Sequence, residues 1–152
     1  MSLRKNELAW IGICVAALLI GTAAIIVIAS QMSTATVRIG DGVFRASIAR
    51  STAEHTRGLS GRQLGEHEAM LFIFPAETTP QIWMKDMKIA IDAVWLDSTK
   101  KVVHLEQQLR PDSYPTVYGT PTPARYVLEL PAGSVAKNAI TLGTHATFEV
   151  KD

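Results

Sequence analysis

An uninterrupted apolar segment near the N-terminus is the feature that most restricts what this chain can fold into. Residues 9–29, "AWIGICVAALLIGTAAIIVIA", are 21 residues without a charged side chain. As a helix that rises about 1.5 Å per residue, this segment is long enough to cross a hydrocarbon core of about 30 Å. We therefore predict a single transmembrane helix at residues 9–29, serving as an anchor or uncleaved signal.

Basic residues predict the orientation of this anchor. Arg4 and Lys5 precede it, whereas the first positive charge after it is Arg38. The positive-inside rule then places residues 1–8 in the cytoplasm and the C-terminal domain in the periplasm or outside. The alternative is a cleaved signal peptide ending near "VIA" at 27–29, which would leave a secreted protein. We favour the anchor because the apolar run exceeds the roughly 7 to 15 residues of a signal core.

The exported part carries no net charge. The chain has 15 basic and 14 acidic residues, and leaving out Arg4, Lys5 and Glu7 gives 13 of each. A nucleic-acid-binding protein needs a basic surface to neutralise phosphates, so we expect no nucleic-acid partner. Cys14 is the only cysteine and lies in the apolar segment, which excludes an internal disulfide in the exported domain.

A polar tether is predicted at residues 30–36, followed by one domain at 37–152. Alternating apolar residues flank Asp41-Gly42, which predicts a β-hairpin because these two residues tolerate a positive φ. Ser51 and Glu54 have the spacing of a helical capping box, and Gly58 is a suitable helix stop.

Short apolar or alternating runs predict the remaining strands. They lie at residues 69–75, 81–86, 91–96, 101–105, 125–130 and 146–150, and residues 106–124 form one long proline-rich loop. The predicted fold is mainly β: a small β-sandwich or partly closed barrel with one or two short helices.

The common signatures of metal and cofactor sites are absent from the sequence. The four histidines show no H-x-H or H-E-x-x-H spacing, and no glycine-rich phosphate-binding motif is present. "GLSGR" at 58–62 has Arg62 where a nucleophile elbow requires glycine, so Ser60 is expected to be a turn residue. We predict neither a metal nor a cofactor.

The segment "QIWMKDMKIAIDAVWLD" at 81–97 places charges where a strand should be apolar. Asp92 shares its strand side with Val94 and Leu96, so its carboxylate needs a partner or a water-filled pocket. One interpretation is structural, with Asp92 paired to a basic residue or capping loop amides. The candidate basic partners are Arg57, Lys85 and Arg125.

The other interpretation is a binding cleft, in which an aromatic face stacks on a ligand and charges orient it. Trp83 and Lys85 share one strand side, and Asp86 lies at the predicted strand end. The predicted binding residues are Arg57, Trp83, Lys85, Asp86, Asp92 and Arg125.

Several motifs resemble domain-of-unknown-function family 192, whose members are small bacterial and archaeal proteins, usually exported or membrane-anchored. The motifs are "RGLSGR", "AMLFIFP", "WMKDMKIAIDAVWLD", "KKVVHL" and "PARYVLELPAG", and the resemblance covers residues 37–150. It implies a β-sandwich of jelly-roll type. Ser60, Ala69, Asp86 and Met87 depart from the common family pattern; at position 86 that pattern has asparagine, so the side chain's charge and donor capacity differ here.

The resemblance implies a fold but no reaction, so the function must be argued from the site. The leading hypothesis is a membrane-tethered, envelope-facing binding or accessory module for a small molecule, glycan or protein. An enzyme using Asp92 or Asp86 as general acid or base on a glycan or peptide is the first alternative. The second is a structural partner of another envelope protein, using the proline-rich loop around Tyr114 and Tyr118.

Overall fold

Residues 33–150 are the part of the chain that the computed structural model describes, and most of them are in strands. The strands are β1 (Thr34–Ile39), β2 (Gly42–Ala49), β3 (Glu68–Thr78), β4 (Gln81–Trp83), β5 (Ile91–Leu96), β6 (Val102–Leu109), β7 (Val117–Gly119), β8 (Ala124–Pro131) and β9 (Ala146–Thr147). The helices are α1 (Thr52–Arg57), α2 (Ser134–Lys137) and a 3-10 turn at Pro111–Ser113.

The predicted anchor at 9–29 lies outside the described residues. Within residues 33–150, none of the helices has the length and apolarity needed to span a bilayer. Of the predicted tether, residues 34–36 belong to β1, where they pair with β2.

Seven strands form one sheet in the order β6-β5-β8-β3-β2-β1-β9, and β4 pairs with β7 in a separate ribbon. Strands β2 and β3 are parallel and are joined through α1, whereas the other neighbours are antiparallel. The sheet curls until its two edges meet at one end, where Lys101 before β6 pairs with His145 before β9. The prediction of a partly closed barrel is confirmed in the form of a half-barrel. The jelly-roll sandwich is wrong, because one sheet folds on itself instead of two sheets stacking.

The concave side of this sheet holds the main core. Alternate residues of successive strands point inward, as a sheet with one buried face requires. The cluster comprises Val37, Ile39, Phe44, Ala46, Ala69, Leu71, Val94, Leu96, Val102, Tyr126, Leu128, Leu130, Val135, Ile140, Ala146 and Phe148.

The first hairpin is confirmed, with the turn one residue earlier than predicted. Ile39 pairs with Gly42, so Gly40 and Asp41 are the two loop residues. Gly40 has φ 54°, and a Cβ atom there would lie 2.0 Å from the carbonyl oxygen of Asn138. Only glycine fits this position, because both the backbone conformation and the close approach exclude a side chain.

Two predicted strands are shorter than expected, and the predicted loop at 106–124 overlaps β6, which continues to Leu109, and contains β7. The predicted strand at 81–86 ends at Trp83, and the one at 146–150 ends at Thr147. Within the loop at 106–124, Val117–Gly119 forms β7 and pairs with β4.

Candidate functional site

The convex side of the sheet carries a second buried layer, and the candidate site lies there. Phe72 of β3, Trp95 of β5 and Val127 of β8 are all buried on this side. The indole N–H of Trp95 donates to the carbonyl oxygen of Pro80 at 2.9 Å, which holds the chain before β4 over the sheet. This convex face is therefore covered in part by the segment that leads into the β4–β7 ribbon.

Helix α1 forms one wall of the site, and its sequence explains where it begins. The Ser51 hydroxyl accepts from the Glu54 main-chain N–H at 3.3 Å, and the Glu54 carboxylate accepts from the Ser51 N–H at 2.8 Å. These hydrogen bonds are the predicted capping box. The main-chain N–H of Ser51, which donates to the Glu54 carboxylate, lowers the pKa of Glu54 because it stabilises the charged form. Gly58 ends the helix, as predicted.

Two hydrogen bonds join the loop after α1 to the segment after β4. The Ser60 hydroxyl donates to the carbonyl oxygen of Lys85 at 2.9 Å, and the Gly61 N–H donates to the carbonyl oxygen of Asp86 at 2.9 Å. Asp86 has φ 57°, a left-handed conformation that ends the extended chain and that aspartate tolerates better than most residues. Ser60 is thus a turn residue, as predicted.

A pocket with a volume of about 180 Å³ opens between α1, these two segments and the convex face. Its walls are mainly aromatic and apolar, with a few polar side chains. The lining residues are His55, Thr56, Arg57, Gly58, Leu59, Ser60, Phe72, Phe74, Gln81, Ile82, Trp83, Met87 and Glu129. Trp83 is 46% exposed although it is a large aromatic residue.

Glu129 is the buried ionisable group of this pocket. It lies on the inner strand β8, paired with Met70 of β3 on one side and with Ala93 of β5 on the other. The residue is 5% exposed, and its Oε2 atom has no hydrogen-bond partner among residues 33–150. Burial without a compensating charge raises the pKa of Glu129 to about 8, so its carboxyl group is mostly protonated at neutral pH.

Two further ionisable residues line the pocket from α1. The His55 ring lies 4.6 Å from the Phe74 ring and 5.8 Å from the Phe72 ring, measured between centroids. Its Nε2 atom is 3.1 Å from the carbonyl oxygen of Ala49, so we place a proton on Nε2 that it donates to this oxygen. Arg57 is exposed. The pocket thus combines an apolar interior, one buried carboxyl group and one solvated cation.

The structure brings together only two of the six predicted site residues. Arg57 and Trp83 both line the pocket. Lys85 and Asp86 have exposed side chains and contribute main-chain carbonyl groups to the loop contact instead. The predicted strand through residue 86 would have placed Lys85 on the same side as Trp83 and Asp86 at the strand end, but β4 ends at Trp83.

Asp92 is fully buried on the opposite, concave side of the sheet. Its Oδ1 accepts from the Gln108 N–H and its Oδ2 from the Val135 N–H, both at 2.9 Å. Of the two predicted structural roles, the capping of main-chain amides is the observed one, although the two amides lie in β6 and α2 and not in a loop. Pairing with Arg57, Lys85 or Arg125 is wrong, because none of the ion pairs among residues 33–150 includes Asp92.

Arg125 lies on β8 outside the pocket lining. The carbon of its guanidinium group is 5.8 Å from the centre of the Tyr126 ring, and its charge helps to lower the pKa of Glu77, after the larger effect of hydrogen bonds from Ser98. It therefore does not line the pocket that contains Arg57 and Trp83.

Glu129 was missed by the sequence analysis, although the sequence holds a signal for it. In residues 124–131 one strand side carries Tyr126, Leu128 and Leu130, and the other carries Arg125, Val127 and Glu129. The Glu129 carboxyl group, like that of Asp92, has apolar neighbours in its strand and needs a partner or a water-filled pocket.

Comparison with known proteins identifies the domain. Residues 35–148 match domain-of-unknown-function family 192, described as "Uncharacterized ACR". The chain belongs to this family. Every pocket-lining residue falls within the matched range, so the pocket is part of the family 192 domain. No curated protein matches the chain.

Two solved structures resemble this family 192 domain. A protein from Sinorhizobium meliloti 1021, described as a "putative transcription regulator", is 22% identical with a TM-score of 0.74, covering 78% of this chain and 95% of its own. A protein of unknown function from Novosphingobium aromaticivorans DSM 12444 is 28% identical with a TM-score of 0.70, covering 77% of this chain and 85% of its own. The first likeness concerns the fold alone.

Among residues 33–150, no cluster of histidine, cysteine, aspartate or glutamate side chains is suited to hold a metal ion.

Proposed function

We propose that this family 192 protein is a membrane-tethered, envelope-facing binding module that holds a small, flat, apolar group of its ligand in the pocket beside Trp83. The observation that carries the proposal is a pocket with mostly apolar walls that contains a buried carboxyl group, one oxygen of which has no hydrogen-bond partner among residues 33–150. Ligand sites commonly combine apolar walls with a few polar groups that fix orientation. Tethering through residues 9–29 would hold this pocket at the envelope side of the membrane.

The size of the pocket limits the bound group. A cavity of about 150 Å³ can hold a benzene molecule, so a volume of about 180 Å³ accommodates one substituted ring. Phe72, Phe74 and Trp83 provide aromatic surface for such a ring. A ligand larger than this would insert one ring-sized group and leave the rest outside.

The test is a titration of the full-length protein with toluene in detergent micelles, corrected for partition into empty micelles. We expect Trp83→Ala to weaken toluene binding severalfold with little change in thermal stability, because Trp83 is half exposed. Leu142→Ala is the matched control, since Leu142 is 66% exposed and does not line the pocket. Equal toluene affinities for the parent and Trp83→Ala would contradict the proposal.

An envelope enzyme is the second candidate function, and Glu129 is the observation that favours it. A carboxyl group whose pKa is raised toward neutrality in a pocket can act as a general acid. Glu129 would then take the role first assigned to Asp92 or Asp86, because Asp92 faces away from the pocket. Turnover of an envelope glycan or peptide that survives Glu129→Gln would exclude this role.

The third candidate, a structural partner of another envelope protein, rests on the loop that contains β7. Tyr114 and Val117 are about half exposed there, and such residues suit a protein contact. Loss of co-purifying envelope proteins from a Tyr114→Ser, Val117→Ser double variant would support this candidate. Unchanged co-purification would count against it.

A further inference from the structure

We infer that the pocket selects a neutral planar group in which a hydrogen-bond donor lies beside an acceptor, such as a carboxamide or a ring lactam, and that Glu129 binds this group. This inference rests on the proposed binding function. It specifies the chemical class of the ligand.

The geometry of Glu129 supplies the first argument. The residue is 5% exposed and lines the pocket, and its Oε2 has no hydrogen-bond partner among residues 33–150. A buried polar atom in this state costs free energy until a ligand or a water satisfies it. A protonated carboxyl group offers one O–H donor and one carbonyl acceptor side by side. An amide presents the complementary pair, so two parallel hydrogen bonds can form in one plane.

The charges around the pocket supply the second argument. The ionisable groups that line it are Glu129 from β8 and His55 and Arg57 from α1. A cationic ligand would meet Arg57 and would require Glu129 to lose its proton in an apolar site. An anionic ligand would lose its hydration on entering the pocket and would then lie against a buried carboxyl group. A neutral amide avoids the desolvation of any charge, which is the dominant cost in such a pocket.

The protonation state of Glu129 agrees with this assignment. Burial raises the pKa of Glu129 to about 8, so the O–H donor is present at neutral pH without a ligand. In a pocket that binds cations, nearby hydrogen-bond donors would ordinarily keep the carboxylate ionised. Asp92 differs from Glu129 in its hydrogen bonding, because main-chain N–H groups donate to both of its carboxylate oxygens.

Benzamide is the probe that carries both features, a single aromatic ring and a planar amide. Toluene and benzamidinium are its matched controls, since they have nearly the same shape but lack the polar pair or add a charge. The full-length protein in detergent micelles would be titrated with each probe by calorimetry, with empty micelles as reference. We expect benzamide to bind more tightly than both controls.

Two variants test the role of Glu129. Glu129→Leu should weaken benzamide binding about tenfold, because the amide loses its partners, and should leave toluene binding unchanged or improved. Glu129→Gln keeps a donor and an acceptor and should retain benzamide binding. In the parent the affinity for benzamide should fall as the pH rises from 7 to 9, whereas in Glu129→Gln it should stay constant.

The outcomes separate this inference from the proposed function. Tighter binding of benzamidinium than of benzamide would overturn the inference and indicate a cation site. Equal binding of benzamide and toluene would also overturn it, while leaving an apolar binding pocket in place. If none of the three probes binds, both the inference and the proposed pocket fail. Should Glu129→Leu not fold, the pH profiles of the parent and Glu129→Gln still decide the question.

Discussion

At the scale of single residues, two carboxyl groups are buried in this sheet in opposite electrostatic settings. Asp92 accepts two main-chain hydrogen bonds, whereas one oxygen of Glu129 has no hydrogen-bond partner in the described part of the chain. Alternation along each strand predicts that both are buried. It does not predict their partners, because the amides that serve Asp92 belong to Gln108 and Val135, 16 and 43 residues away in the chain.

Glu129 should make the stability of the domain fall as the pH rises. The pKa of Glu129 is about 8 in the folded state against an ordinary value of 4.5, so between these pH values the folded state holds a proton that the unfolded state has lost. The contribution of Glu129 to the free energy of unfolding is complete below about pH 4.5, decreases up to about pH 8 and is lost above it. This contribution is at most on the order of 5 kcal/mol.

Urea unfolding of residues 33–152 at pH 5, 7 and 9 measures this effect. Glu129→Gln cannot ionise, so it should be more stable than the parent at pH 9 and lose that advantage at pH 5. The difference between the two proteins isolates Glu129 from other titrating groups, including Glu54, whose lowered pKa acts in more acidic solution. A constant difference across the three pH values would contradict the raised pKa.

At the scale of elements, features set by neighbouring residues were predictable from the sequence, whereas features set by contacts between distant segments were not. Helix α1 begins and ends where Ser51, Glu54 and Gly58 indicate, because a capping box is complete within a few residues. The strand predicted through residue 86 stops at Trp83, because the turn that follows is held by Ser60 and Gly61 from another segment. The pocket was therefore only partly predictable, since its walls meet through such contacts.

Asp92 joins three elements, and its replacement should loosen all of them. It lies on β5 and accepts from Gln108, which has φ 58° where the β5–β6 register shifts, and from Val135 in the first turn of α2. Asp92→Asn keeps one acceptor but turns an NH2 group toward a buried N–H. The cost should be about 1 to 3 kcal/mol in the free energy of unfolding.

Asp86→Asn is the matched control for this experiment. Asp86 is exposed, and asparagine also tolerates its left-handed φ of 57°, so the change should stay within about 0.5 kcal/mol. Urea unfolding of residues 33–152 measures both variants. Equal midpoints for Asp92→Asn and Asp86→Asn would show that the two amide contacts contribute nothing to stability.

At the scale of the whole molecule, the strand content was predictable and the closure of the sheet was not. Residues 91–96 form the strand that their apolar pattern indicates. The parallel pairing of β2 with β3 and the meeting of Lys101 with His145 join segments far apart in sequence. Periodicity gives the faces of strands but not their neighbours, so the same strands were compatible with a sandwich and with a partly closed barrel.

Removal of residues 1–32 should release the protein from the membrane without unfolding it. Ser33–Asp152 form one compact unit by their own contacts, and the residues of the concave core named above belong to that unit. The apolar residues 9–29 should hold the full-length chain in the membrane fraction, because 21 residues without a charge favour the hydrocarbon over water. We expect residues 33–152 to be soluble and to give a β-type far-ultraviolet circular dichroism spectrum. A helix-dominated or unfolded spectrum would contradict independent folding. If expression of the full-length chain gave a soluble protein with a new N-terminus near Ser30, the segment would be a cleaved signal instead of an anchor.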